Sequence, residues 1–360
     1  MTYKLAIPTR SLGHASANHS LVNKLDAAKG YGYQGVEICF EDLLSVANEQ
    51  PSSPAQFCPN PSLKWIDVAA VKVKGMCEEK GIEIVCLQLF HQYEGLVNAL
   101  DREVRFLELV NWIQIARILG TRMIIIPAAS LPADETTKDL EVIANYFRQA
   151  ADAGLMHCPH IHIAYESQCS ATYIDRWEFC WDVVRKVDRH NFGMCLDTFH
   201  MAACIFADPT IPSGCLTNGA TAVELSMQRL VKAMEANCEK IFHVQIGDAR
   251  LPDEPIVPGS PDYDPEQWPR TVWSENYRLF YREEGRGAYL PIMKISDTIF
   301  NHVGYEGWVS LEIFNRVMNC ENASVPEELA RRGAVSWQKL IDDMGWWVPP
   351  ANLGVASAVC

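Results

Sequence analysis

Phe192-Gly-Met-Cys-Leu-Asp197-Thr-Phe-His200 is a short apolar run that ends in a carboxylate, with an imidazole three residues further on. This pattern predicts a buried strand that delivers both side chains at its C-terminal end. In a barrel of parallel strands, the C-terminal ends of the strands carry the active site. The stretch therefore predicts a barrel enzyme with Asp197 and His200 in its site.

Three other apolar runs also end in a side chain that can bind a metal. They cover residues 161–166, 241–245 and 309–312, and end in Glu166, Gln245 and Glu312. Together with Asp197, these ends would form an oxygen-rich site that suits Mg²⁺ or Mn²⁺ and also admits Co²⁺. Clustered carboxylates repel one another unless a dication neutralises them or one is protonated, which favours a metal. His243 shares a strand face with Gln245, so imidazole is the alternative ligand.

The rest of the chain alternates short apolar runs with segments of helical periodicity, about eight of each. This alternation predicts an α/β fold, a (β/α)8 TIM barrel of typically ~250 residues, with room here for long loops after strands 2 and 7. These loops are residues 50–62 and 248–289, and the second is predicted to be a lid because it is rich in proline and aromatic residues. We place one barrel domain at residues 1–346 and a C-terminal tail at 347–360. A doubly wound sheet is the alternative, but the glycine fingerprint usual after its first strand is missing.

Composition and charge narrow the range of partners. The 360-residue chain is 48% hydrophobic and has a net charge of −14, which disfavours nucleic acid and anionic membranes and favours a small-molecule substrate. The 13 cysteines form no regular framework and no apolar segment follows Met1, so we expect free thiols and a cytoplasmic location. No run approaches the ~20 apolar residues of a membrane span. Assembly into a homo-oligomer is left open.

Further polar residues near strand ends are candidates for catalysis and substrate binding. His200 is predicted to be the general base, because imidazole titrates near neutrality. Glu37, on the opposite face of the second strand from Val36, is a second candidate for catalysis. Arg250 follows the seventh strand, where a guanidinium can hold a substrate carboxylate. Three residues after the third and fifth strands can hydrogen-bond substrate hydroxyls: His91, Tyr93 and Gln168. An ordinary surface or loop role is the alternative for each.

Several motifs resemble the xylose-isomerase-like superfamily, which contains metal-dependent sugar isomerases, epimerases and dehydratases. They are the strand ending in Glu166, Leu196-Asp-Thr-Phe-His200 and Ser310-Leu-Glu-Ile-Phe314. More specific motifs include Tyr33-Gln-Gly-Val-Glu-Ile38 and Gly285-Arg-Gly-Ala-Tyr-Leu-Pro291. These are similar to motifs of the fungal 3-dehydroshikimate dehydratases of the quinate pathway, and the resemblance covers nearly the whole chain.

The resemblance implies a metal site with four ligands, namely Glu166, Asp197, Gln245 and Glu312. It also implies His200 as the base in the conversion of 3-dehydroshikimate to protocatechuate and water. Two positions depart from related enzymes, since Gly247 replaces a lysine and Gln168 replaces a histidine found in some of them. The alternatives are a sugar or inosose isomerase, epimerase or dehydratase, a DNA-repair endonuclease, and an inactive binding protein on the same scaffold. The acidic net charge counts against the endonuclease.

Overall fold

The structure, a computed structural model, describes residues 3–49 and 63–346. Eight parallel strands close into a barrel, which confirms the predicted (β/α)8 TIM fold. In chain order these strands are β1 (Lys4–Pro8), β2 (Gly35–Cys39), β3 (Glu83–Gln88), β4 (Met123–Pro127), β5 (His162–Glu166), β6 (Phe192–Asp197), β7 (Ile241–Ile246) and, after a separate pair, β10 (Trp308–Leu311). The barrel closes where β10 pairs with β1 on one side and with β7 on the other. The predicted loop 50–62 and tail 347–360 lie outside the described residues.

Helices surround the barrel. They are α1 (Leu21–Gly30), α2 (Phe40–Asn48), α3 (Leu63–Lys80), α4 (Ala99–Leu119), α5 (Leu140–Leu155), α6 (Trp177–Val187), α7 (Thr198–Ile205), α8 (Gly219–Met234), α9 (Pro269–Asn276), α10 (Ile292–Asp297) and α11 (Val325–Met344). Helix α2, which was not expected from the sequence, follows β2 directly and buries Leu43, Val46 and Ala47 on one face. Within the described ranges, no helix is long and apolar enough to cross a membrane.

Alternation along each strand separates two layers of the core. On β6, Met194 and Leu196 pack outward into the large core between strands and helices, whereas Cys195 belongs to the small cluster inside the barrel. Because side chains of a strand alternate between faces, Asp197 then points into the barrel at its C-terminal end. On β5, Ala164 lies in the inner cluster, so Glu166 also points inward. The barrel interior therefore changes from apolar at its base to acidic at its mouth.

The long segment after β7 folds back over this mouth. It contains α9 and a two-stranded antiparallel sheet formed by β8 (Asp248–Ala249) and β9 (Arg278–Leu279). The buried Asp248 carboxylate accepts hydrogen bonds from the backbone N–H groups of Ala249 at 2.7 Å and Leu290 at 3.1 Å, which ties the two ends of the segment together. The N–H of Arg278 donates to the carbonyl of Phe314 at 3.0 Å, so β9 is docked beside the end of β10.

Candidate active site

Four strand-end side chains meet at the mouth of the barrel, as the sequence predicts. Glu166, Asp197, Gln245 and Glu312 are each at most 2% exposed. The amide nitrogen of Gln245 lies 2.9 Å from Oε1 of Glu312. Asp197 also accepts the N–H of Phe199 at 2.7 Å and so caps α7, whose first turn carries His200 into the same site. Nε2 of His200 lies 3.7 Å from Asp197 and 3.9 Å from Glu166.

The carboxylates of the site suit a divalent cation. Both oxygens of Glu166 are buried and have no hydrogen-bond partner among the described residues. Glu166, Asp197 and His200 each offer a ligand atom, and these atoms lie within 4.8 Å of one another. Burial, followed by the charge of Asp197, raises the pKa of Glu166 well above its usual range. Burial also raises the pKa of Glu312. The surrounding side chains therefore do not fully compensate the negative charge of the three carboxylates. Carboxylate and amide oxygens are the ligands that a hard metal ion prefers, so the site fits such an ion.

Arg278 enters the site from β9, and sequence analysis did not identify it. Its side chain is 1% exposed, and Nη1 donates to Asp197 at 2.7 Å and to Glu312 at 3.0 Å. Nε and Nη2 donate to the hydroxyl of Ser274 at 3.2 and 2.9 Å. The guanidinium also stacks over the ring of Phe199, 4.2 Å from its centre. The only signal in the sequence is an arginine inside the apolar run 277–281, which lies in the segment predicted as a lid.

His200 contacts two hydrogen-bond donors that it cannot both satisfy. Its Nδ1 accepts the backbone N–H of Cys169 at 3.1 Å, while its Nε2 lies 2.7 Å from Nη2 of Arg278. A neutral imidazole has one lone pair available as an acceptor, because its other ring nitrogen carries the proton. Burial, and then the charge of Arg278, lowers the pKa of His200 to about 3, although Asp197 opposes this shift. The ring is therefore neutral at neutral pH.

Glu37 and His243 form a second polar layer inside the barrel. Oε1 of Glu37 lies 2.9 Å from Nε2 of His243, and Oε2 accepts from the amides of Gln88 at 2.6 Å and Gln245 at 3.1 Å. His243 lies two residues closer than Gln245 to the N-terminal end of β7. The geometry thus brings Gln245 to the carboxylate cluster and leaves His243 paired with Glu37. Glu37 orients Gln245 through the 3.1 Å hydrogen bond.

The predicted substrate-binding residues do not all lie at the carboxylate cluster. Gln168 follows Glu166 by two residues, and its amide opposes the rise in the pKa of that carboxyl, although no hydrogen bond of good geometry joins the two side chains. Arg250 instead pairs with Asp253 at 3.0 Å and stacks on Tyr277, and it lines a separate cavity of about 370 Å³. The hydroxyl of Tyr93 donates to the carbonyl of Tyr146 at 3.1 Å within the outer core, and His91 is exposed in its loop. Of these predicted contacts, the structure brings only Gln168 to the carboxylate cluster.

Comparison with known proteins places the chain in a family. The family model described as xylose isomerase-like TIM barrel matches residues 25–340, so the protein belongs to this family. The chain is 47% identical to a 3-dehydroshikimate dehydratase of Neurospora crassa over 348 residues, which cover 96% of this chain and 95% of that protein. A second 3-dehydroshikimate dehydratase, from Pseudomonas aeruginosa, is 26% identical over 85% of this chain but only 38% of its own length. The crystal structure of the probable 3-DHS dehydratase AsbF from Bacillus anthracis shares the fold, with a TM-score of 0.57 and 15% identity over 93% of this chain and 98% of that one.

Proposed function

We propose that the protein is a metal-dependent 3-dehydroshikimate dehydratase, which converts 3-dehydroshikimate to protocatechuate and water. The observation that carries the proposal is the buried cluster of three carboxylates, Gln245 and His200 at the mouth of the barrel. The 47% identity to the Neurospora crassa enzyme over nearly the full length of both chains supports the choice of substrate. The net charge of −14 supports a small molecule over nucleic acid as the partner.

Four residues would hold the divalent cation, either Mg²⁺ or Mn²⁺ or, alternatively, Co²⁺: Glu166, Asp197, Gln245 and Glu312. When bound, the cation would supply positive charge that offsets the carboxylates and stabilises negative charge on the substrate's ketone oxygen. Glu37 serves as a positioning residue for Gln245, because it accepts a hydrogen bond from that amide at 3.1 Å. Its own burial and its pairing with His243 keep it inside the barrel.

His200 would act as the general base. The C4 proton of 3-dehydroshikimate lies between the C3 ketone and the carbon that carries the C5 hydroxyl. Its removal gives an enolate, loss of the C5 hydroxyl with a proton gives water, and the resulting dienone enolises to the aromatic catechol. His200 is unprotonated at neutral pH, as a base for the first step must be. A substrate carboxylate bound to Arg278 would offset the guanidinium charge that lowers the pKa of His200, and so would make the imidazole a stronger base. For this role the imidazole proton must lie on Nδ1, which gives up the hydrogen bond from the Cys169 N–H and donates instead to the thiol of Cys169 at 3.3 Å. The lone pair of Nε2 is then available to the substrate.

Arg278 would bind an oxygen of the substrate. The Nη2 N–H of Arg278 and the backbone N–H of Cys169 both point at the imidazole of His200, which can accept only one of them. A substrate oxygen between Arg278 and His200 would give the Arg278 N–H an acceptor. The other N–H groups of Arg278 already donate to Asp197, Glu312 and Ser274, so this contact is a single charge-assisted hydrogen bond from Nη2. We therefore assign one oxygen of the substrate carboxylate to Arg278 in place of Arg250, whose contacts are outside the carboxylate cluster. Phe199 and Phe314 flank the guanidinium and exclude water around it.

The experiment that tests this function is a substrate panel with and without metal. Metal-free protein receives 3-dehydroshikimate, inosose or ketohexoses, before and after addition of Mg²⁺ or Mn²⁺, and products are followed by absorbance and chromatography. We expect protocatechuate from 3-dehydroshikimate alone, lost with a chelator and restored by metal. Conversion of inosose or a ketohexose instead would move the protein to the sugar isomerases, epimerases and dehydratases of the family.

Within this proposal, the protein acts in quinate catabolism in the cytoplasm. The motifs shared with fungal enzymes of that pathway support this placement. Growth on quinate as the sole carbon source, compared between a source strain and its deletion mutant, tests it. Normal growth of the mutant would exclude an essential role in the pathway.

A further inference from the structure

A cluster of histidines lies at the opposite end of the barrel from the candidate active site. The chain has 10 histidines, and four of them occur here: His157, His160, His162 and His190. His160 precedes β5 and His190 precedes β6, so the cluster lies at the N-terminal ends of the same two strands that end in Glu166 and Asp197. A five-residue strand separates its ends by about 13 Å at ~3.3 Å per residue, so the two sites are distinct.

Two of these imidazoles are already spaced as metal ligands. Nδ1 of His160 lies 3.4 Å from Nε2 of His190, and the ring planes are inclined by 50°. This separation is longer than the ~3 Å of a good hydrogen bond between nitrogens. Two imidazole nitrogens that each lie ~2.0–2.1 Å from one tetrahedral zinc ion are about 3.3–3.4 Å apart. The pair therefore matches the distance between two ligands on one ion.

Further nitrogen and sulfur donors lie on the same turn. His157 is half-buried and Cys158 is exposed, and they lie three and two residues before His160 in the chain. The turn thus keeps both donors within three residues of one member of the pair. His162 packs against Phe242 with ring centres 5.0 Å apart. Its pKa is lowered by burial first and then by the charges of His190 and His160.

We propose that His160 and His190 bind a zinc-class transition-metal ion, with His157 or Cys158 as a third ligand and water completing the shell. Imidazole and thiolate donors select Zn²⁺, Co²⁺ or Ni²⁺ over Mg²⁺, so the site differs in metal preference from the oxygen-rich cluster at the other end of β5 and β6. An ion there joins the turns that precede these two strands. The base of a TIM barrel contributes to stability rather than chemistry, so the ion stabilises the fold.

The local charges permit such an ion. Arg189, which directly precedes His190, donates to both oxygens of Asp152 at 2.6 and 3.2 Å. The ammonium of Lys240 donates to the carbonyl of Arg189 at 2.7 Å. Both cations are thus engaged by groups other than His160 and His190, whose nitrogens face each other.

The test counts metal ions in the full-length protein. Wild type, His160→Ala/His190→Ala and a matched control, His302→Ala, are stripped of metal and dialysed against excess Zn²⁺, and bound zinc is measured by elemental analysis. His302 is an exposed histidine outside the cluster, paired with Asp297 at 3.3 Å. We expect wild type and His302→Ala to retain one more Zn²⁺ per chain than the double variant. We also expect the rise in Tm on adding Zn²⁺ to shrink in the double variant alone.

Equal zinc content in all three proteins, or an equal rise in Tm, would overturn the proposal. The visible absorption of Co²⁺-loaded protein gives an independent readout, because a band from nitrogen-ligated cobalt is expected to disappear only in the double variant. Both substituted side chains are exposed, so the fold is retained, and circular dichroism checks this. The carboxylate cluster is intact in every variant, so the result does not depend on the proposed dehydratase activity.

Discussion

Replacement of Arg278 by methionine should destabilise the metal-free protein strongly. The guanidinium is the only side-chain cation that the structure, over its described ranges, places in hydrogen-bond contact with Asp197 and Glu312, and it is 1% exposed. Removing one partner of a buried ion pair typically costs about 3–5 kcal/mol, because the other partner remains buried without compensation. For a chain of this size, we take a shift of about 2 °C in Tm per kcal/mol, so the expected loss is roughly 6–10 °C.

The assay is thermal unfolding followed by circular dichroism in the presence of a chelator, with Arg250→Met as the matched control. Arg250 pairs with Asp253, whose side chain is 85% exposed, so its loss should cost no more than about 1 kcal/mol. Addition of Mg²⁺ or Mn²⁺ should restore part of the stability of Arg278→Met, because the cation compensates the same carboxylates. The reasoning is refuted if Arg278→Met unfolds within about 2 °C of the control, a difference of roughly 1 kcal/mol.

Three further perturbations test other parts of the account. Glu166→Gln should raise the Tm of metal-free protein, because burial disfavours the charged form of this carboxylate. The same substitution should weaken Mn²⁺ binding, measured by calorimetry, at least about tenfold. Unchanged Mn²⁺ affinity would remove Glu166 from the ligand set. Burial raises the pKa of Asp248 to about 7, so this group makes the folded state less stable as the pH rises from about 4 to 7. The urea midpoint of Asp248→Asn should therefore depend less on pH across that window than the midpoint of wild type. Parallel curves would contradict the raised pKa of Asp248. Arg278→Lys should keep the metal but raise KM for the substrate about tenfold, because a compact ammonium cannot hold Asp197, Glu312 and a substrate oxygen at once as the planar guanidinium does. Wild-type steady-state kinetics would exclude carboxylate binding by this residue.

The residues that the sequence predicted well are those on strands. Side chains of a strand alternate between two faces, so the apolar neighbours of Asp197 and Glu166 fix the direction in which each carboxylate points. The C-terminal ends of parallel strands meet at one end of the barrel, so the two residues meet although 31 positions separate them in the chain. The same logic brought Gln245 and Glu312 to the cluster.

Residues on loops were predicted less well, for a physical reason. A loop has no periodicity that fixes the direction of a side chain, so the sequence pointed to Arg250 as the partner of a substrate carboxylate and not to Arg278, which lies further along residues 248–289. The structure brings Arg278 inward because β9 docks beside the end of β10, through the hydrogen bond from its N–H to Phe314. Tyr93, a predicted substrate-binding residue, instead turns its ring away from the site and packs against Phe147 in the outer core.

The missed helix α2 has a different origin. Its buried residues Leu43, Val46 and Ala47 follow helical spacing, so the signal is present in the sequence. The helix is nine residues long and begins directly at the end of β2, without the loop that usually separates strand from helix in such a barrel. Short helices of this kind are stabilised mainly by packing against the rest of the fold.

The central claim is that His200 performs proton removal at a metal-loaded carboxylate cluster. The measurement that tests it most directly is the rate of protocatechuate formation from 3-dehydroshikimate by wild type and His200→Ala, with bound metal determined in the same samples. We expect chelator-sensitive product formation by wild type and a loss of at least about 10²-fold in kcat for His200→Ala at unchanged metal content. Wild-type kcat in the fully metal-loaded variant would contradict the claim.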